Sequence, residues 1–113
     1  MKVERHEMDG ATVILVSDLK EVDVASADAF KAAVLQAMGD DAKVVIDVST
    51  IEFFDSAGMR VLLSIKKHIV QKNGKLVLAG LNRPARDIFR MVGFDVIFLI
   101  YPDIPQAVAA LKS

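Results

Sequence analysis

The chain has no cysteine, which excludes a disulfide framework, a thiolate nucleophile and a Cys-type zinc site. That usage fits a reducing compartment. It also lacks an excess of either charge: 14 Lys and Arg face 15 Asp and Glu, for a formal net charge of −1. Acids and bases are interspersed, so there is no basic stripe for nucleic acid and no polybasic cluster for an anionic membrane. Met1-Lys2-Val3-Glu4 runs directly into charged residues without the pattern of a signal peptide. The most apolar run, Val96–Tyr101, is far shorter than the ~20 residues a helical membrane span needs. His6 and His68 read as solvated, and the Asp40-Asp41 pair has no spaced ligands to complete a metal site. The expectation is a soluble cytoplasmic domain with no metal, no cofactor, no nucleic-acid partner and no direct membrane contact.

What is present is a globular composition, 53% hydrophobic and 26% charged over 113 residues. Such a chain forms one domain, residues 1–113, able to bury a core without covalent or metal help. Lys2–Met8 and Ala11–Val16 read as strands around an Asp9-Gly10 turn. Ser26 is expected to cap a helix ending near Met38, with Ala29, Phe30, Ala33, Val34 and Ala37 at core-facing spacing. Lys43–Val48 is apolar enough for a central strand covered on both faces. A helix follows from about Ala57 to Lys72 and stops at Asn73-Gly74. Lys75–Ala79 is a strand, Asn82 caps a helix closed by Gly93, Val96–Ile100 is a last strand, and Asp103 caps a final helix. The expected order is β-β-α-β-α-β-α-β-α: an α/β fold with a single mixed sheet of about five strands and about four helices.

The segment Phe53-Phe54-Asp55-Ser56-Ala57-Gly58-Met59-Arg60 carries the functional signal. It sets a serine, after an acid and before a small residue, where a helix begins. An N-terminal Ser or Asp ordinarily caps the first free amides. The same oriented amides and helix dipole also favour an added phosphate. From the residues alone, cap and phosphorylation site stand about even for Ser56. Asp55 has a bland reading as a cap and a sharper one in positioning the hydroxyl.

With these residues in order, nearly the whole chain resembles the STAS domain family, and within it the bacterial anti-sigma-factor antagonists. Asp55-Ser56-Ala57-Gly58 is similar to the family's phosphorylation loop, and Lys20-Glu21-Val22-Asp23 to the segment that sits near it. Leu78-Ala79-Gly80-Leu81 and Met91-Val92-Gly93-Phe94 match its C-terminal half. The resemblance implies a STAS fold and a non-enzymatic partner switch that is a monomer when free. In that cycle the unphosphorylated protein binds an anti-sigma factor that is also a serine kinase, freeing a sigma factor. The kinase modifies Ser56 and is released, and a PP2C-like phosphatase resets the switch. Asp23, Asp55, Ala57, Gly58, Met59, Arg60 and Leu63 would form the switch loop and partner surface. Three positions depart from the family pattern. Ala57 replaces a second hydroxyl, Lys20 a glycine, and Arg60 a frequent glycine. Arg60 lies one helical turn past Ser56, where it would hold a phosphoserine, pair with Asp55 or remain solvated.

The helix after Ser56 adds an independent clue. Its apolar residues, Val61, Leu62, Ile65 and Ile69 with Met59, Leu63 and Val70 at the flanks, cover about twice the ~100° stripe a core-facing helix minimally needs. Either the helix is deeply seated, or Met59 and Leu63 dock a partner; the second requires both to be accessible in the free protein. Two rival functions remain: a STAS accessory subunit of a membrane transport complex that binds an ATPase subunit without phosphorylation, and a small hydrolase using Ser56 as nucleophile. The hydrolase lacks a base, since His68 lies about 18 Å along the same helix.

Overall fold

The computed structural model describes residues 1–112. The order is β1 (Lys2–Met8), β2 (Ala11–Ser17), β3 (Glu21–Val22), α1 (Ala27–Met38), β4 (Lys43–Asp47), β5 (Phe53–Phe54), α2 (Ser56–Gln71), β6 (Lys75–Ala79), α3 (Arg83–Val92), α4 (Phe94–Ile97), β7 (Leu99–Tyr101) and α5 (Ile104–Leu111). The main sheet has five strands in the order β1-β2-β4-β6-β7. Strands β1 and β2 are antiparallel across the Asp9-Gly10 turn, and every other neighbour pair is parallel. The expected mixed α/β sheet is therefore present, with one more helix than expected and a second, two-stranded sheet, β3-β5.

The register sorts the core onto two faces. Ile14, Ile46 and Leu78 lie side by side across β2, β4 and β6. They pack into the larger cluster with Phe30 and Val34 of α1, Leu62 and Ile65 of α2 and Phe89 of α3. One residue earlier in each strand, Val13, Val45 and Val77 form the opposite row and meet Ala107, Val108 and Leu111 of α5. Side chains alternate faces along a strand, so near-continuous Val/Ile/Leu runs are what a sheet covered on both sides requires.

Two sequence expectations are corrected here. The last strand is shorter and later than Val96–Ile100, because Gly93 takes a left-handed conformation (φ 81) that closes α3. The chain then makes the single helical turn α4 before β7 begins at Leu99. Nor is that run uniformly core, since Val96 is 86% exposed and Leu99 49%, while Phe98 is buried. Lys66 of α2 secures the turn by donating to the Ile97 carbonyl, with its ammonium 5.4 Å from the Phe98 ring centroid. At the start of α1, Ser26 does not cap through its hydroxyl, which instead donates to the Glu21 carbonyl and accepts from the Asp23 N–H. Asp23 orders the turn that leads into the helix, its Oδ1 accepting from the amides of Ala25 and Ser26.

Candidate functional site

The small sheet builds the site. Thr50 anchors the chain leaving β4 by donating to the carbonyls of Val16 and Leu19. Glu52 then donates its N–H to the Lys20 carbonyl at 2.7 Å, and Asp55 donates to the Val22 carbonyl at 3.2 Å. Between these bonds Phe53 pairs with Glu21 and Phe54 with Val22. Strands β3 and β5 are parallel neighbours, and each leads into a helix, so the N-termini of α1 and α2 emerge side by side. Period-two geometry splits the aromatic pair: Phe54 is buried in the core and Phe53 is 43% exposed.

Asp55 is the N-cap of α2, with extended backbone (φ −86, ψ −171) and a carboxylate accepting from Gly58 N–H at 2.9 Å. Its second oxygen accepts from Val24 N–H at 3.0 Å, tying the α2 terminus to the loop that begins α1. One carboxylate thus fixes the relative position of two helix N-termini. Replacing Asp55 by Ala is expected to lower stability by about 1–2 kcal/mol, the range for a lost cap with a second amide released. Urea denaturation would measure this, and hydrogen exchange should accelerate at the Val24 and Gly58 amides. Unchanged stability would remove Asp55 from this role.

Ser56 is therefore the first helical residue rather than the cap. It is exposed, and its hydroxyl has no hydrogen-bond partner among the described residues. Arg60, one turn later, is also exposed and has no ion-pair partner among the described residues. It does not pair with Asp55, whose oxygens face backbone amides. Lys20 replaces a glycine without strain, because the left-handed backbone of that turn falls on Asp18 (φ 59).

Gly58 is where α2 touches β3. A Cβ added there would lie 2.1 Å from the Val22 carbonyl oxygen and 3.0 Å from its carbon. Ala57 and Leu63 are half-buried against the core. Met59 is only 8% exposed and belongs to the core cluster. The expectation that Met59 and Leu63 together dock a partner thus fails: α2 is the deeply seated helix of the alternative reading, packed between α1, β5 and β6. Apolar surface at the site comes instead from Val24, 82% exposed, and Phe53. The signal for Phe53 was the doublet itself, since adjacent strand residues face opposite ways. Val24 follows no periodicity and carries no sequence signal.

Among the described residues, no His/Cys/Asp/Glu group is arranged to hold a metal and no helix is long and apolar enough to cross a membrane. The site offers a hydroxyl without a hydrogen-bond partner among the described residues, on the helix end that Asp55 caps.

The chain is 31% identical to the "putative anti-sigma factor antagonist BtrV" of Bordetella bronchiseptica, over all of this chain and 97% of that protein. Its fold superposes on an anti-sigma factor antagonist from Mycobacterium paratuberculosis with a TM-score of 0.80 at 27% identity, covering 99% of this chain and 94% of the other. A STAS domain protein from Planctomyces limnophilus, 21% identical, gives 0.86 with 98% of each chain covered, a likeness of fold. The family model for the STAS domain matches residues 3–107, and the chain belongs to the STAS domain family.

Proposed function

We propose that this protein is an anti-sigma-factor antagonist that switches partners through Ser56. Unmodified, it binds an anti-sigma factor with serine kinase activity through the surface around Val24, Phe53 and Ser56. Phosphorylation of Ser56 ends the complex, and a PP2C-like phosphatase restores it. The chain itself supplies a binding surface and an acceptor hydroxyl, not a catalytic step, and it acts in the cytoplasm where sigma factors work. The observation that carries this reading is the exposed, unpartnered Ser56 hydroxyl at the head of a helix held rigid by Asp55. The Ser26 hydroxyl, by contrast, is engaged within its own turn, donating to the Glu21 carbonyl. The relatives named as antagonists support the class of partner.

The physical switch needs no refolding. A phosphate brings a charge of about −1.5 to −2 at pH 7 onto a surface that also presents apolar Val24 and Phe53. Such a charge at the centre of a packed interface costs desolvation as well as repulsion from acidic neighbours. At the α2 terminus it meets oriented amides and lies one turn from Arg60, so the free phosphoprotein tolerates it.

The test is incubation with the host's candidate anti-sigma kinases and Mg-ATP, followed by mass mapping and a pull-down. Phosphate on Ser56 with dissociation of the complex is the expected result. Ser56→Ala should stay bound and unlabelled, with stability within about 0.5 kcal/mol of the parent, as for an exposed residue without partners. Ser56→Asp should bind about tenfold or more weakly, the effect of a charge placed in an interface. A lasting complex that never transfers phosphate would instead support a constitutive adaptor of the transport-accessory kind.

A further inference from the structure

A cavity of about 320 Å³ opens between α3 and β7, at the carboxyl ends of β6 and β7. Its floor is the buried rings of Phe89 and Phe98. Arg86 and Arg90, one turn apart on the exposed face of α3, form one wall, with Asp95 and Tyr101 also at its margin. None of these four polar side chains has a hydrogen-bond or ion-pair partner among the described residues. Some surface cations elsewhere are paired, Arg5 with Asp41, Lys72 with Asp40 and Lys112 with Asp9, while others, Arg60 and Arg83 among them, have no partner among the described residues. What distinguishes Arg86 and Arg90 is their place: two guanidinium groups one turn apart, unpaired although Asp87 lies on the same helix, border one concavity lined by the buried rings of Phe89 and Phe98.

The geometry points to a binding site for a small organic anion in this cavity: a carboxylate or phosphate monoester carried on a flat apolar body about one ring in size. Guanidinium forks bind carboxylate and phosphate through paired, charge-assisted hydrogen bonds. The aromatic floor takes the apolar body, and the Tyr101 hydroxyl and Asp95 supply a donor and an acceptor for its polar substituents. The volume is at the small end of the ~300–1,000 Å³ range of ligand pockets. The carboxyl ends of parallel strands are also where open α/β sheets hold ligands. The site is separate from Ser56 and stands whether or not that residue is phosphorylated.

Phenyl phosphate and benzoate are the probes, with benzyl alcohol as the uncharged control, followed by amide chemical shifts of the full chain. The expected result is saturable shifts at Phe89, Phe98 and Tyr101 with one or both anions and none with the alcohol. A preference for phenyl phosphate assigns a phosphate headgroup, and a preference for benzoate a carboxylate. In Arg86→Gln/Arg90→Gln, affinity should fall about tenfold or more, as expected for lost charge-assisted contacts. Both substitutions are on the solvent face of α3, and an unchanged spectrum of the unliganded variant verifies its fold. Absent or non-saturating shifts, equal shifts with benzyl alcohol, or equal affinity in the double variant would overturn the site.

Discussion

Gly58→Ala is expected to destabilise the protein by about 2–3 kcal/mol, even though alanine is the better helix former by about 1 kcal/mol. The new methyl carbon would sit 2.1 Å from the Val22 carbonyl oxygen, an overlap that no rotamer can relieve. That carbonyl is not free to retreat, because it accepts the Asp55 N–H that holds β5 against β3. Relief therefore means separating α2 from β3, opening the small sheet and releasing Val24 from Asp55. Chemical denaturation gives the stability loss, and hydrogen exchange at Asp55 and Val24 locates it. Because the obstacle is backbone, Val22→Ala in the same background should not restore stability. A Gly58→Ala variant as stable as its parent would show that α2 and β3 can part without cost. Partner binding should fall with the same substitution, since it displaces Val24 and Phe53 relative to Ser56.

The contact between Gly58 and Val22 was not legible in the sequence, and the reason is general. Long periodic elements announced themselves: β2, β4 and β6 through runs of Val, Ile and Leu, and α3 and α5 through Asn82 and Asp103. Both of those side chains do cap, accepting from Ala85 and Gln106 N–H. Strands β3 and β5 have two residues each, too few to show a period, and exist because distant backbone segments pair. The Asp55-Ser56 motif marked the site, but not which of two adjacent capable residues caps: Asp55 does, and its second oxygen accepts from the distant Val24 N–H. Met59 misled because a wide apolar arc signals either an exposed stripe or a helix covered on several sides. Val96–Ile100 misled because β-branched residues favour a strand unless the preceding backbone forbids it. Gly93, left-handed, turns the chain into one helical turn first and leaves Val96 outside.

Phe89→Ala should have the largest effect on the fold, a loss of about 3–5 kcal/mol. Phe89 is fully buried and its ring is the hub of an aromatic group, 5.5 Å from Phe54, 5.6 Å from Phe94 and 6.1 Å from Phe98 between centroids. Its contacts with Phe54 and Phe94 are edge-on, a geometry worth about 0.5–1.5 kcal/mol per pair beyond the area buried. Truncation would leave three facing rings around a void that they cannot fill without moving α3, α4 or β5. Against a total stability of about 5–15 kcal/mol for a domain, this approaches loss of the native state. The denaturation midpoint should fall sharply at an unchanged denaturant dependence, while Phe89→Leu should cost under about 1.5 kcal/mol. The consequence reaches the site because Phe54 immediately precedes Asp55. A variant still folded at low temperature should show faster amide exchange from Asp55 to Met59 before the β2-β4-β6 core responds. A loss below about 1 kcal/mol would mean that the neighbouring rings collapse into the space. In that case β5 draws its position from its pairing with β3 alone, and the aromatic group is not what holds the Asp55-Ser56 segment in place.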